Sequence, residues 1–184
     1  RALNPAGKLP LLKLEDGRLI AESNAILLYL ADKTGKFALT DPVGRWKMME
    51  WMMFQMASVG PMFGQVHVFT KYGEGKNVEA SARYLNEAKR LYGVMDGRLE
   101  DNHYFLGHDY TIVDIAIFPW VGRWDWQTVD LGEFPNVKRW FDAIDARPAV
   151  TRALKVLADK RKPGFEKDEE AWRNLFGAAQ YQRR

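Results

Sequence analysis

Two short stretches carry residue types that could hold a ligand. In "GKLPLLKL" the pair Leu9-Pro10 opens an apolar strand, and in "LIAESNAILLYLA" the pair Glu22-Ser23 sits directly before an apolar helix. Proline cannot donate to a sheet ladder, so at a strand start it marks an edge or a turn. A cis Leu9-Pro10 bond would turn the Leu9 backbone outward, free to pair with an extended peptide by strand addition. A trans bond would simply break the preceding segment, and with only ~5% of X–Pro bonds cis in folded proteins, the residues alone favour trans. Ser23 suits the N-cap of the helix that follows, its hydroxyl accepting from a first-turn amide. The same helix start offers unpaired N–H groups and partial positive charge, hence a carboxylate site. Glu22 beside it is suited to an ammonium group, and the two charges on one ligand end describe an amino-acid headgroup. Two readings of Ser23 therefore stand: a cap alone, or one part of a site for an extended peptide with an amino-acid terminus.

The composition narrows the chemistry further. None of the 184 residues is cysteine, so structural disulfides are excluded and any thiol must arrive with a ligand. That is compatible with a cytoplasmic location, which is the expected one. The net charge is +3 with acidic and basic residues interspersed, and the one dense basic run is "KVLADKRK". It reads as a solvated helix end, with no nucleic-acid partner expected. The longest apolar runs, such as "IAIFPWV", fall far short of a spanning helix, and "RALNPAGK" has no apolar signal region. A soluble protein without a membrane partner is expected. His67 has His103 and His108 far away in sequence and no acidic residue at ligand spacing, so no metal site is expected.

The elements that must position these residues fall into two regimes. From Leu9 to about Ala21 the pattern is strand-like, with Asp16-Gly17 as a hairpin turn. After Glu22 everything reads as helix. A short amphipathic helix from Asn24 to Lys33 stops at Thr34-Gly35. "TDPVGR" (Thr40 to Arg45) forms the boundary, with Asp41 and Pro42 fit to start the next helix. A long helix follows through "GRWKMMEWMMFQMASVGPMFGQVHVF", then one from Val78 to Leu99 and a turn-rich connector, "DNHYFLGHDYT". Further helices are expected from Ile112 to about Trp126, Pro135 to Ala146 and Pro148 to about Lys160, with a last short one at Glu169 to Phe176. Thr111 and Asp114 make an N-capping pair for the Ile112 helix. The "WKMMEWMMFQM" helix is apolar on more than one face and must be buried on two sides. A lone two-stranded hairpin with one helix has too few strands to fold by itself. The expected organisation is thus a partial α/β domain at 1–37, an all-α domain at 43–165 and a polar tail at 166–184. The chain is expected to start in the middle of its first domain.

"NPAGKLP…LEDG…IAESNAILLYLADKTG" resembles the second half of the thioredoxin-like domain of glutathione transferases. "QMASVGPMFGQVHVFTKY", "RYLNEAKRLYGVMDGRLED" and "YTIVDIAIFPWVGRW" resemble its bacterial nu-class members, also described as disulfide-bond oxidoreductases of the yeast prion-related group. The likeness runs from about Leu3 to Leu157. It implies a mostly α fold, the C-terminal half of a thioredoxin-like domain followed by an all-α domain. It also implies a cis Leu9-Pro10 bond, against the residue-level preference. Leu9 would pair with the cysteinyl part of glutathione, and Glu22 and Ser23 would hold its γ-glutamyl end. Arg90 aligns with an arginine that reaches glutathione carboxylates, the alternative being an exposed helix arginine. Gln65 and His67 lie near the cleft mouth in the related pattern, though Val66 and Val68 stand where it has asparagine and a second histidine. Asn24 replaces the glycine common after "ES". The implied cosubstrate is glutathione, with no other cofactor, and the implied reaction is thiol transfer to a small electrophile or disulfide. A homodimer through the methionine- and tryptophan-rich helix is implied. The thiol-activating residue is expected upstream of Arg1, so none is assigned, and residues 1–184 alone are expected to be a poor enzyme. Two alternatives remain open: a non-catalytic scaffold of the same family, or a plain helical interaction domain with a hairpin appended.

Overall fold

The computed structural model describes residues 3–160 and 168–177. The last two residues of the basic run, 161 and 162, and the domain edge expected at 165 lie outside the described residues. The chain is mostly helical, with one two-stranded sheet. It divides into two compact units, Arg1–Ile144 and Asp145–Arg184.

In the first unit, β1 (Leu11–Lys13) and β2 (Leu19–Ala21) pair antiparallel, with Leu12 opposite Ile20. The turn between them closes through Gly17, whose φ of 87° suits glycine and whose N–H donates to the Leu14 carbonyl at 3.0 Å. The Leu9-Pro10 bond is cis, so the resemblance, not the residue-level preference, describes it. Helix α1 (Ser23–Thr34) follows and ends on Gly35 in the left-handed conformation.

The long helix expected after Thr40 is α2 (Pro42–Phe54), a π-helical turn (Gln55–Val59), α3 (Gly60–Val66) and a second π-helical turn (His67–Tyr72). Asp41 caps its start, accepting from the Gly44 amide at 2.8 Å. Pro61 explains the first irregularity. It has no N–H to give the Ala57 carbonyl, so the ladder must slip there. Periodicity could not show this, because a π turn shifts the apolar pattern by only a single residue.

Helix α4 (Val78–Leu99) buries Ala88, Leu91, Tyr92, Met95 and Leu99. Helix α5 (Ile112–Val121) stops well short of the expected Trp126. The Gln127 side-chain amide donates to the Trp120 carbonyl at 2.9 Å, which competes with continuation of the helix. Helix α6 (Pro135–Asp145) is capped from α4, where Asp96 accepts from the Asn136 and Val137 amides. In the second unit, α7 (Pro148–Lys155) is followed by a 3₁₀ turn at Ala158–Lys160. Asp168 caps α8 (Glu169–Phe176) through the amides of Glu170 and Ala171.

The core of the first unit is built around the start of α5. Thr111 and Asp114 form a capping box, as their spacing predicted. Asp114 is 0% exposed and does more than cap. Its carboxylate accepts from the Thr111 amide at 2.9 Å, the Phe105 amide at 3.1 Å and the Trp140 indole N–H at 2.9 Å. It therefore ties together the connector, α5 and α6. Burial pushes this carboxyl up, against four donated hydrogen bonds that pull it down. No described helix is long and apolar enough to cross a membrane.

Candidate functional site

Helix α1 starts differently from expectation. The N-cap is Glu22, with no side-chain capping bond, and Ser23 is already the first helical residue. The cap reading of Ser23 is thereby corrected, and its hydroxyl has no hydrogen-bond partner among the described residues. The first intrahelical bond runs from the Ile26 amide to the Glu22 carbonyl at 3.0 Å, so the amides of Ser23, Asn24 and Ala25 have no earlier turn to donate to. Glu22 holds φ 73° and ψ 122°, a conformation unusual for a residue with a Cβ. Such strain costs on the order of 1–3 kcal/mol and persists where the surroundings over-determine it.

Asn24 supplies one such constraint. It is buried, and its amide donates to the Met52 carbonyl at 3.0 Å, fastening the start of α1 to the end of α2. A glycine at this position could not make that bond.

Beside this helix start lies an open cleft of about 630 Å³. Pro10, Ser23 and Leu27 line it on one side, and Pro119, Trp120 and Arg123 on another. Leu9 itself is 89% exposed, with no main-chain hydrogen bond to the described residues. The candidate residues Pro10 and Ser23 thus share one cleft, with Leu9 and Glu22 exposed beside them in sequence. Arg90 is not brought there. It makes a bidentate pair with Glu87, both bonds 2.8 Å, and lines a separate groove with Met62, Arg83 and Tyr84. Gln65 is exposed and does not line the cleft, whereas His67 does. Two residues along a helix point to nearly opposite faces.

Both π-helical turns deliver a polar side chain to the cleft. Gln55 comes from the first and His67 from the second. Gln55 is 3% exposed, and its Oε1 finds no hydrogen-bond partner. His67 is better served. Gln127 accepts from the Tyr92 hydroxyl at 2.6 Å and donates to the Trp120 carbonyl at 2.9 Å, which orients its amide. Its N–H₂ then faces His67 Nε2 at 3.2 Å, so that nitrogen must be an acceptor and the ring proton sits on Nδ1. Burial pushes the His67 pKa down, and the positive charge of Arg123 adds to it. Burial likewise keeps the Tyr92 phenol protonated. Sequence reading missed Gln55, Trp120, Arg123, Trp126 and Gln127 as cleft or supporting residues. The π turns and the early end of α5 place them, and neither is visible as periodicity.

Among the described residues no group of three or more His, Cys, Asp or Glu side chains could hold a metal ion. What the arrangement offers is an anion-accepting helix start, an exposed strand-edge backbone and an apolar wall with indoles.

Helix start, cis-proline edge and helical domain together define a glutathione-transferase-type fold. Residues 51–148 match the glutathione S-transferase C-terminal domain family, and residues 1–33 its N-terminal domain family. The chain belongs to the glutathione S-transferase family. It is 43% identical to the disulfide-bond oxidoreductase YfcG of Escherichia coli (strain K12) over 142 residues, covering 76% of this chain and 66% of that protein. A crystal structure of a glutathione transferase from Burkholderia graminis, with two glutathione molecules bound per subunit, is 42% identical with a TM-score of 0.77. That match covers 88% of this chain and 71% of the other. Ure2p in complex with glutathione is 31% identical with a TM-score of 0.77, over 84% of this chain and 74% of the other.

Proposed function

We propose that this protein binds glutathione and transfers its thiol to a small electrophile or disulfide. The observation that carries the reading is the uncommitted Ser23 hydroxyl at the open start of α1, sharing a cleft with Pro10. A carboxylate there meets unpaired amides, the helix dipole and a free hydroxyl. Exposed Glu22 offers the complementary charge for an ammonium, and the exposed Leu9 backbone can pair with a peptide segment. The disulfide-bond oxidoreductase YfcG and the glutathione-bound relatives support the same reading. Residues 1–184 hold no cysteine, so in this reading the attacking sulfur is that of glutathione itself. A homodimer and a cytoplasmic setting accompany this reading. A non-catalytic scaffold would not need the Ser23 hydroxyl left free.

Titration calorimetry with glutathione tests it. Ser23→Ala should weaken binding roughly tenfold or more, since one hydrogen bond to a charged group is worth about 1.5–3 kcal/mol. An unchanged affinity would remove Ser23 from the site.

A further inference from the structure

We propose that the cleft selects a planar aromatic co-substrate bearing a carboxylate or similar anionic group, with the ring on the Trp120–Trp126 wall and the charge on Arg123. This names the second substrate of the glutathione-dependent reading above and rests on it for the chemistry, though not for the binding.

The wall is apolar where a ring would lie, formed by Ile115, Ala116 and Pro119 beside the two indoles. Arg123 follows immediately and is exposed, with its guanidinium carbon 4.8 Å from the Trp126 ring centroid. Among the described residues it is in ion-pair contact with no carboxylate. A guanidinium beside an indole can still grip a carboxylate through two parallel N–H hydrogen bonds. Lys71 lies 5.5 Å from the same ring and adds a second cation. Asp125 is an opposing charge in this region, and its influence at His67 is smaller than that of Arg123. His67 is neutral in the Gln127 network, so it contributes no charge of its own. Trp126 is also fixed edge-on by His67 and by Tyr72, which leaves the cationic side rigid before any ligand arrives.

The cleft therefore has two anion-accepting ends of different construction. At α1 it is a helix start with a hydroxyl, and at Trp126 it is a guanidinium edge above a ring. The first suits the amino-acid end of glutathione; the second suits an aryl anion.

The test uses an unreactive matched pair, para-nitrobenzoate and para-nitrobenzamide, followed by tryptophan fluorescence quenching with and without glutathione. The protein should prefer the anion by about fivefold, the size of one partly exposed charge pair. Arg123→Gln should bring the two probes within twofold of each other, and Arg123→Lys should keep part of the preference. Glutathione affinity, measured separately, should stay within twofold in both variants. Arg123 is exposed, so an unchanged thermal melt will show that the variants are folded. Equal affinity for the two probes in the unaltered protein would overturn the proposal. So would a preference that survives Arg123→Gln, or a variant that loses glutathione instead of the anion. Retained anion preference in a protein that binds no glutathione would support the inference and sink the reading of the α1 site.

Discussion

Two polar regions of this protein meet opposite fates. Around Asp114 every donor is matched: two backbone amides, a threonine hydroxyl and an indole converge on one carboxylate. In the cleft, Gln55 is as buried but keeps an oxygen without a partner, and Ser23 keeps a hydroxyl without one. A closed network specifies the fold and holds α5 and α6 to the connector. An open one leaves hydrogen-bonding capacity where a ligand can reach it, at some cost in stability. The Gln127 amide belongs to the closed kind but borders the open one, since it fixes His67 while His67 lines the cleft.

The sharpest way to break this contrast is to remove the closed hub. Asp114→Ala strands the Thr111 amide, the Phe105 amide and the Trp140 indole N–H in the core. At about 1–3 kcal/mol for each stranded group, the loss should be roughly 3–5 kcal/mol after partial relaxation. Thermal unfolding should fall by about 10 °C or more for a chain of this size. A fall of only a few degrees would mean that water replaces the carboxylate.

A smaller effect should come from the border network. The depressed His67 pKa means that the unfolded chain binds the proton more readily than the folded one. Stability from this group is then fully present above the ordinary pKa of 6.5 and is lost as pH falls below it toward the folded value. Protonation would set an imidazole N–H against the Gln127 N–H₂. Melting curves between pH 7.5 and 5 should drop more steeply for the protein than for His67→Gln, which has nothing to titrate. Parallel curves would show that His67 is already solvated.

The smallest effect is expected at the open end. Gln55→Leu removes an unpartnered acceptor and should change stability by no more than about 1 kcal/mol, in the stabilising direction if the leucine fits. A large destabilisation would reveal that Gln55 is held by an ordered water and belongs with the closed network.

Some of this was legible before any coordinates. Asp41 before Pro42, Thr111 three residues before Asp114 and Asp16-Gly17 between two apolar runs each encode local structure in local spacing. All three form as expected. The span of α4 followed from its apolar repeat for the same reason. The family likeness was carried by contiguous motifs and supplied the cis bond at Pro10, which local preference had argued against.

The tertiary structure decided where long-range partners compete with local ones. Ser23 has the residue type of a cap, yet α1 begins one residue earlier on a strained Glu22, with Asn24 held to the Met52 carbonyl twenty-eight positions away. Gln127 ends α5 by claiming a carbonyl that helical continuation would have used. Gln55 reaches the cleft from the first π-helical turn, and Arg90 lines another groove although the family resemblance placed it at the ligand. Spacing along the chain fixes hydrogen bonds between neighbours in sequence. It cannot fix bonds whose two ends meet only after helices pack.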